Sequence, residues 1–140
     1  MPEECPFCGI IAGEIPSYTV YEGDDVMAFL DVNPLARGHT LVVPRDHYSR
    51  VTEQPTELTD AVFGAAAQLS DQVASAVDAD ATTIGVNDGS AAGQQVPHVH
   101  VHVVPRFESD GGGAIHSILQ GEGEMSDEEL DSVAEEITSH

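Results

Sequence analysis

The chain has 140 residues, the length of one ordinary domain, and 41% of them are hydrophobic, with no apolar run approaching the roughly 18 to 20 residues of a membrane span. Asp and Glu number 25 against 4 Lys and Arg, the formal charge is −21, and all four cations are arginines: Arg37, Arg45, Arg50 and Arg106. Four arginines cannot build the basic patch of a free-standing nucleic-acid binder, and no basic region followed by an apolar stretch opens the chain. These features read as a soluble, cytoplasmic protein with no nucleic-acid and no membrane partner.

In chain order, Phe7 to Ala12 reads as a short helix ended near Gly13, and Pro16 breaks the pattern. Tyr18 to Glu22 and Val26 to Leu30 read as strands around the turn signal Gly23-Asp24-Asp25. His39 to Pro44 is a third strand, rich in β-branched residues. From Thr56 to Val77 the spacing predicts a long helix, with Leu58, Val62, Ala65, Leu69, Val73 and Ala76 on one apolar stripe. Thr82 to Val86 is a strand, Asn87 to Gln95 a polar loop, and 98 to 104 a strictly alternating strand. Gly111-Gly112-Gly113 reads as a hinge, and Ser126 caps a terminal helix from Asp127 to about Thr138. With no repeat and no second core signal, the expectation is a single α+β domain, a mostly antiparallel sheet with one long helix and short terminal helices.

The chemistry concentrates in His98-Val99-His100-Val101-His102. Alternation on a strand puts the three imidazoles on one face, roughly 7 Å apart, and the valines on the other. Buried imidazoles need partners, so three on one face point to metal binding or to attack on phosphorus. The segment Asn87 to Val96 is small and polar, and such a loop can cradle an anion through neutral donors, which favours phosphoryl transfer. Cys5-Pro6-Phe7-Cys8 is the other feature; with four residues before it, a thioredoxin-like placement is poor and metal or redox chemistry remains. The absence of lysine and the acids spread along the chain give a composition like that of proteins from salt-in halophiles.

These blocks taken together resemble the histidine triad (HIT) family, whose signature is His-x-His-x-His followed by two apolar residues, here His98 to Val104. The likeness extends through Cys5 to Pro16, Ala28 to Pro44, Asn87 and Gly93-Gln94, in family order and spacing, and covers the chain to about Arg106, with 107–140 as a variable extension. It implies a HIT-like fold and hydrolysis or transfer at the α-phosphate of a purine nucleotide through a nucleotidyl-histidine. By position, His100 is the nucleophile, His102 sits beside the phosphate and His39 lies nearby. Asn87, Gly93, Gln94 and Gln95 line the phosphate and leaving group, Asp31 meets the ribose, and Phe7, Ile10, Phe29 and Val32 form the base slot. Phosphoramidase-type eukaryotic relatives carry serine at the Gln95 position, so amine and phosphate leaving groups both stay open. Zinc-containing microbial members and the related galactose-1-phosphate uridylyltransferases imply a structural zinc on Cys5, Cys8, His47 and His98. The resemblance also implies a homodimer. A nucleotide-binding regulatory module with negligible turnover, and a hydrolase with zinc on the triad itself, are the competing readings.

Overall fold

The computed structural model describes residues 4–139, which fall into two compact units, one ending at Asp110 and the other running from Gly111 onward. In the first unit α1 spans Pro6–Ile11, and five strands follow: β1 Thr19–Glu22, β2 Val26–Leu30, β3 Thr40–Pro44, β4 Ala81–Gly85 and β5 Val101–Arg106. The long helix α2, Thr56–Val77, joins β3 to β4 and has the limits its spacing predicts. It stops at Asp78, which adopts the left-handed conformation (φ 57°) while the Ala79 N–H closes back on the Ala74 carbonyl at 2.9 Å.

The sheet order is β1-β2-β3-β5-β4 and every pairing is antiparallel. Side chains alternate across it, so the central strands β2 and β3 feed two cores. Val26, Ala28, Val42, Val101 and Val103 face α2, where Val62, Ala66 and Leu69 cover them. Met27, Phe29, Leu41 and Val43 face the opposite way and are covered by Phe7 and Cys8 of α1 together with Cys5. Burial on both faces explains the unbroken apolar runs of β2 and β3. Each fully buried valine contributes roughly 1.5 to 3 kcal/mol of transfer free energy, so the strands around Val42 anchor the unit. The α2 stripe is turned slightly from expectation: Ala66 is buried and Ala76 is exposed.

One strand differs in a way that matters for the site. The alternating segment was expected to be strand from residue 98, but β5 begins at Val101. The β3 partner register runs only from Thr40↔Val103 to Val42↔Val101. Beyond it stands Pro44, which has no N–H to continue a ladder, and its carbonyl accepts from a histidine side chain instead. The Val99 N–H is taken at 2.8 Å by the Tyr48 carbonyl outside the sheet.

The second unit, described to residue 139, holds a 3-10 turn at Ile115–Ser117 and helix α3, Asp127–Thr138. Ser126 caps α3 in a reciprocal box with Glu129, as the sequence pattern predicts. No helix among the described residues is long and apolar enough to cross a membrane.

Candidate active site and metal centre

Because Val101 and Val103 point toward α2, His100 and His102 project from the other face of the sheet, beside Phe29 and Leu41. There they line a cavity of about 720 Å³ within the first unit. Its floor is β2, β3 and the start of β5; its walls are α1, the β2–β3 connection and the loop before His98. Phe7, Ile10, Phe29, Asp31, Val32, Asn87, Gly93, Gln95, His39, His100 and His102 all line it. The sequence reading missed Ile15, Asn33, Leu35 and Val96, which also line it. Leu35 and Val32 are 80% and 71% exposed on the rim. Only proximity in the fold identifies these four, since isolated residues in loops carry no spacing signal.

Hydrogen bonds fix the protonation pattern of the three histidines in the cavity. The Leu35 N–H donates to His39 Nδ1 at 3.0 Å, so the proton of neutral His39 sits on Nε2. His39 Nε2 then donates to His102 Nδ1 at 2.9 Å, which places the His102 proton on Nε2. That His102 Nε2 is buried and without a partner among the described residues. His100 Nδ1 donates to the His98 carbonyl at 2.7 Å, leaving Nε2 as its unprotonated nitrogen. The His100 and His102 ring centroids are 5.0 Å apart.

Burial holds all three in the neutral form. Desolvation pushes His102 down to about 4, with the neighbouring His100 and His39 adding to the fall and Asp31 opposing it. His39 and His100 are also lowered, in each case chiefly by desolvation, against the attraction of Asp31. The Asp31 carboxylate lies 3.7 Å from His39 Nε2 and accepts the Asn33 N–H at 2.9 Å. Asp31, His39 and His102 bring ligand-type atoms together. With His39 Nδ1 facing an N–H donor, however, Nε2 must carry a hydrogen and offers a metal no lone pair. His39 and His102 therefore form a hydrogen-bond chain, started by the Leu35 N–H, that ends in one free donor, with the Asp31 carboxylate beside it.

Gln94 is placed differently from expectation. It does not line the cavity. Its Oε1 accepts the Gly89 N–H at 2.8 Å, and its Nε2 donates to the Ser49 and Val96 carbonyls at 2.8 and 3.0 Å. Gln95 takes the lining position, and neither its backbone N–H nor its side chain has a partner among the described residues.

Cys5, Cys8, His47 and His98 converge in a second centre, with all four donor atoms within 4.8 Å of one another. A tetrahedral zinc with bonds of roughly 2.3 Å to sulfur and about 2.05 Å to nitrogen requires S···N separations near ~3.5 Å and N···N near ~3.3 Å. The separations are 3.4 Å for Cys5–His98, 3.3 Å for Cys8–His47, 3.6 Å for Cys8–His98 and 3.2 Å for the two Nδ1 atoms. His98 Nε2 donates to the Pro44 carbonyl at 2.8 Å, which turns the Nδ1 lone pair toward the sulfurs. Burial and the adjacent Cys5 push the Cys8 thiol up to about 11, and a cation at the centre would reverse that preference. The donor set and its spacing fit a closed four-ligand zinc site. Phe7, between the two cysteines in sequence, sets its ring edge-on to His98 and His100 at 5.9 and 5.0 Å, so the metal centre and the cavity share a wall.

Residues 12–109 match the HIT domain. The chain belongs to the HIT family. It is 44% identical over 134 residues to an uncharacterized HIT-like protein of Methanocaldococcus jannaschii, covering 95% of this chain and 98% of that one. It is 38% identical over 110 residues to the Arabidopsis thaliana adenylylsulfatase HINT3, covering 79% of this chain and 56% of the relative. A HIT family protein of Bacillus subtilis superposes with a TM-score of 0.89 at 36% identity, over 99% of this chain and 97% of that structure. A zinc-bound histidine triad family protein of Mycobacterium smegmatis superposes at 0.74 with 37% identity, over 76% and 78% of the two chains. The HIT-like α+β fold expected from the motifs is the fold observed.

Proposed function

We propose that the cavity binds a purine nucleoside 5′-phosphoryl group and that His100 attacks its phosphorus. The observation that carries this reading is the polarity of the paired histidines: an unprotonated Nε2 on His100 beside an unpartnered Nε2–H on His102. The His100 lone pair forms the N–P bond while the P–leaving-group bond breaks and its electron pair departs with the leaving group, an amine nitrogen taking up a proton from solvent as it leaves. His102 Nε2–H donates to a phosphoryl oxygen as negative charge grows there, and His39 holds the ring in that tautomer. Water then cleaves the nucleotidyl-histidine, restoring neutral His100. Asp31 accepts from the ribose hydroxyls, the base lies against Phe7, Ile10, Phe29 and Val32, and Asn87, Gly93 and Gln95 surround the phosphate and leaving group.

No lysine or arginine lines the cavity, and Asp31 contributes a carboxylate. A polyphosphate leaving chain would meet no countercharge, so the cavity favours an amine or a cationic acyl group, as in a nucleoside phosphoramidate or an aminoacyl adenylate. The adenylylsulfatase name of the Arabidopsis relative supports an adenylyl group as the attacked half. Cys5, Cys8, His47 and His98 would hold a structural zinc, its coordination closed to substrate. It would tie α1, and with it Phe7, to the segment that carries the nucleophile.

The test is single-turnover reaction with adenosine 5′-phosphoramidate. Wild-type protein should form a nucleotidyl adduct on His100, and His100→Asn should lose turnover while still binding AMP. Near wild-type turnover in His100→Ala would reject His100 as nucleophile.

A further inference from the structure

We infer that Gln94 is a positioning residue that fastens the anion-facing loop to the segment following β3, and that it does not touch the phosphate itself. The inference rests on the nucleotide reading above only for what the loop faces; the fastening stands on geometry alone.

The loop from Asn87 to Val96 bends sharply twice, at Gly89 (φ 105°) and Gly93 (φ 97°), conformations that L side chains rarely adopt. A 3-10 turn at Ser90–Ala92 and backbone bonds onto the Gly89 and Ser90 carbonyls shape the tip of the loop, but none of these bonds reaches the rest of the fold. The loop is placed on that fold by residues 48–51. The Gln94 amide bridges three backbone groups: the Gly89 N–H within the loop, the Val96 carbonyl at its exit and the Ser49 carbonyl across the gap. Both amide hydrogens are in use, so a phosphate oxygen would have to displace an existing bond. Asp88 adds a second tie, its Oδ1 accepting the Val51 N–H at 2.9 Å with Arg50 Nε at 3.3 Å. Ser49 Oγ donates to the Pro97 carbonyl at 3.2 Å, and the Tyr48 carbonyl accepts the Val99 N–H at 2.8 Å. A Cβ at Gly89 would come within 3.2 Å of the Arg50 guanidinium, so the loop lies directly on this strap. Asn87 and Gln95 line the cavity, while Gln94, next to Gln95, is turned to the backbone groups it bridges.

Removing the amide leaves a backbone donor and two carbonyls without their partner and lets the loop sample other shapes. The cost falls on the phosphate-facing groups and spares the base slot, which is built from α1 and β2. The experiment has two arms on the full chain. In ligand-free protein, hydrogen exchange of peptides spanning 87–96 should accelerate in Gln94→Ala by at least about tenfold, with peptides of α2 unchanged. By calorimetry, AMP affinity should fall about tenfold while adenosine affinity stays within about twofold. Gln94→Met keeps the length of the side chain, adds no charge and loses all three bonds, so it should match the alanine variant in both arms; it also serves if the alanine variant does not fold. Unchanged exchange in the ligand-free variants, together with lost AMP affinity, would make Gln94 a direct phosphate ligand and overturn the inference. Equal losses for AMP and adenosine would assign it a general structural role and overturn it as well. If wild-type protein binds no AMP, the nucleotide reading fails, and the exchange arm still decides whether Gln94 fastens the loop.

Discussion

Replacing His102 by Asn should remove a pH-dependent part of the folding stability. The Asn Oδ1 can stand where Nδ1 stands, accepting from His39 Nε2, while the titratable group is gone. In the folded chain His102 is pushed from 6.5 down to about 4, first by desolvation and then by its neighbouring imidazoles. The unfolded chain takes up this proton as pH falls through about 6.5, and the folded chain does so only near 4. Between those values the unfolded state binds more protons, so the stabilisation is complete above about 6.5 and is lost progressively as pH falls toward 4. The full shift of about 2.5 units corresponds to roughly 3 kcal/mol, of which about 2 is lost by pH 5. His102 is half-buried, and solvent screening reduces the expected loss to about 1 to 2 kcal/mol. Urea unfolding of both proteins at pH 7.5, 6 and 5, at fixed high salt, measures it. The stability difference, wild type minus His102→Asn, should fall by that amount between pH 7.5 and 5. Parallel stability curves across the range would show that His102 is not held neutral by the fold, and the protonation chain from Leu35 through His39 would fail with it.

The metal centre predicts about one zinc per chain by elemental analysis after mild purification, lost in Cys5→Ser or Cys8→Ser; a cysteine variant that keeps full metal content would reject the site. Screening of the −21 charge predicts a melting temperature that climbs steeply with KCl and flattens near molar salt, because the Debye length shrinks from about 30 Å at 0.01 M to about 3 Å at 1 M. A flat profile in the thermal scan would remove the case for a halophilic source. The unpaired outer edge of β4 and the 40% exposed Phe63 on α2 support a homodimer, so light scattering in high salt should give twice the 14.8 kDa chain mass. A monomer mass would reject it.

Periodicity was enough for the scaffold. The α2 limits follow from an apolar stripe, the Ser126-capped helix from its local capping pattern, and β2 from an apolar run bounded by turn signals. The cavity-lining residues Phe7, Phe29 and Asp31 were legible because they fall in blocks at family spacing. Gln94 was not, since a glutamine beside a glycine-rich loop looks the same whether its amide meets a phosphate or three backbone groups. Leu35 was hidden for a related reason: its contribution is a backbone N–H aimed at His39, and no side-chain pattern records that.

The same limit explains how three alternating histidines serve two centres. An uninterrupted strand would put His98, His100 and His102 on one surface with one environment. Pro44 ends the hydrogen-bonded register of β3 with β5, and the chain turns off the sheet before Val101. His98, beyond that point, gives Nε2 to the Pro44 carbonyl and turns Nδ1 toward Cys5, Cys8 and His47. His102, inside the ladder opposite Leu41, stays with His39 on the sheet face. His100 lies at the junction, and the carbonyl that orients it belongs to His98 itself. A residue of the four-donor cluster therefore sets which nitrogen of His100 is free. Displacement of His98 should change the tautomer of His100 even where the cavity keeps its shape. ¹⁵N imidazole shifts of His100 in wild-type protein with the metal bound and after its removal would show this, and identical tautomer populations in the two forms would break the link.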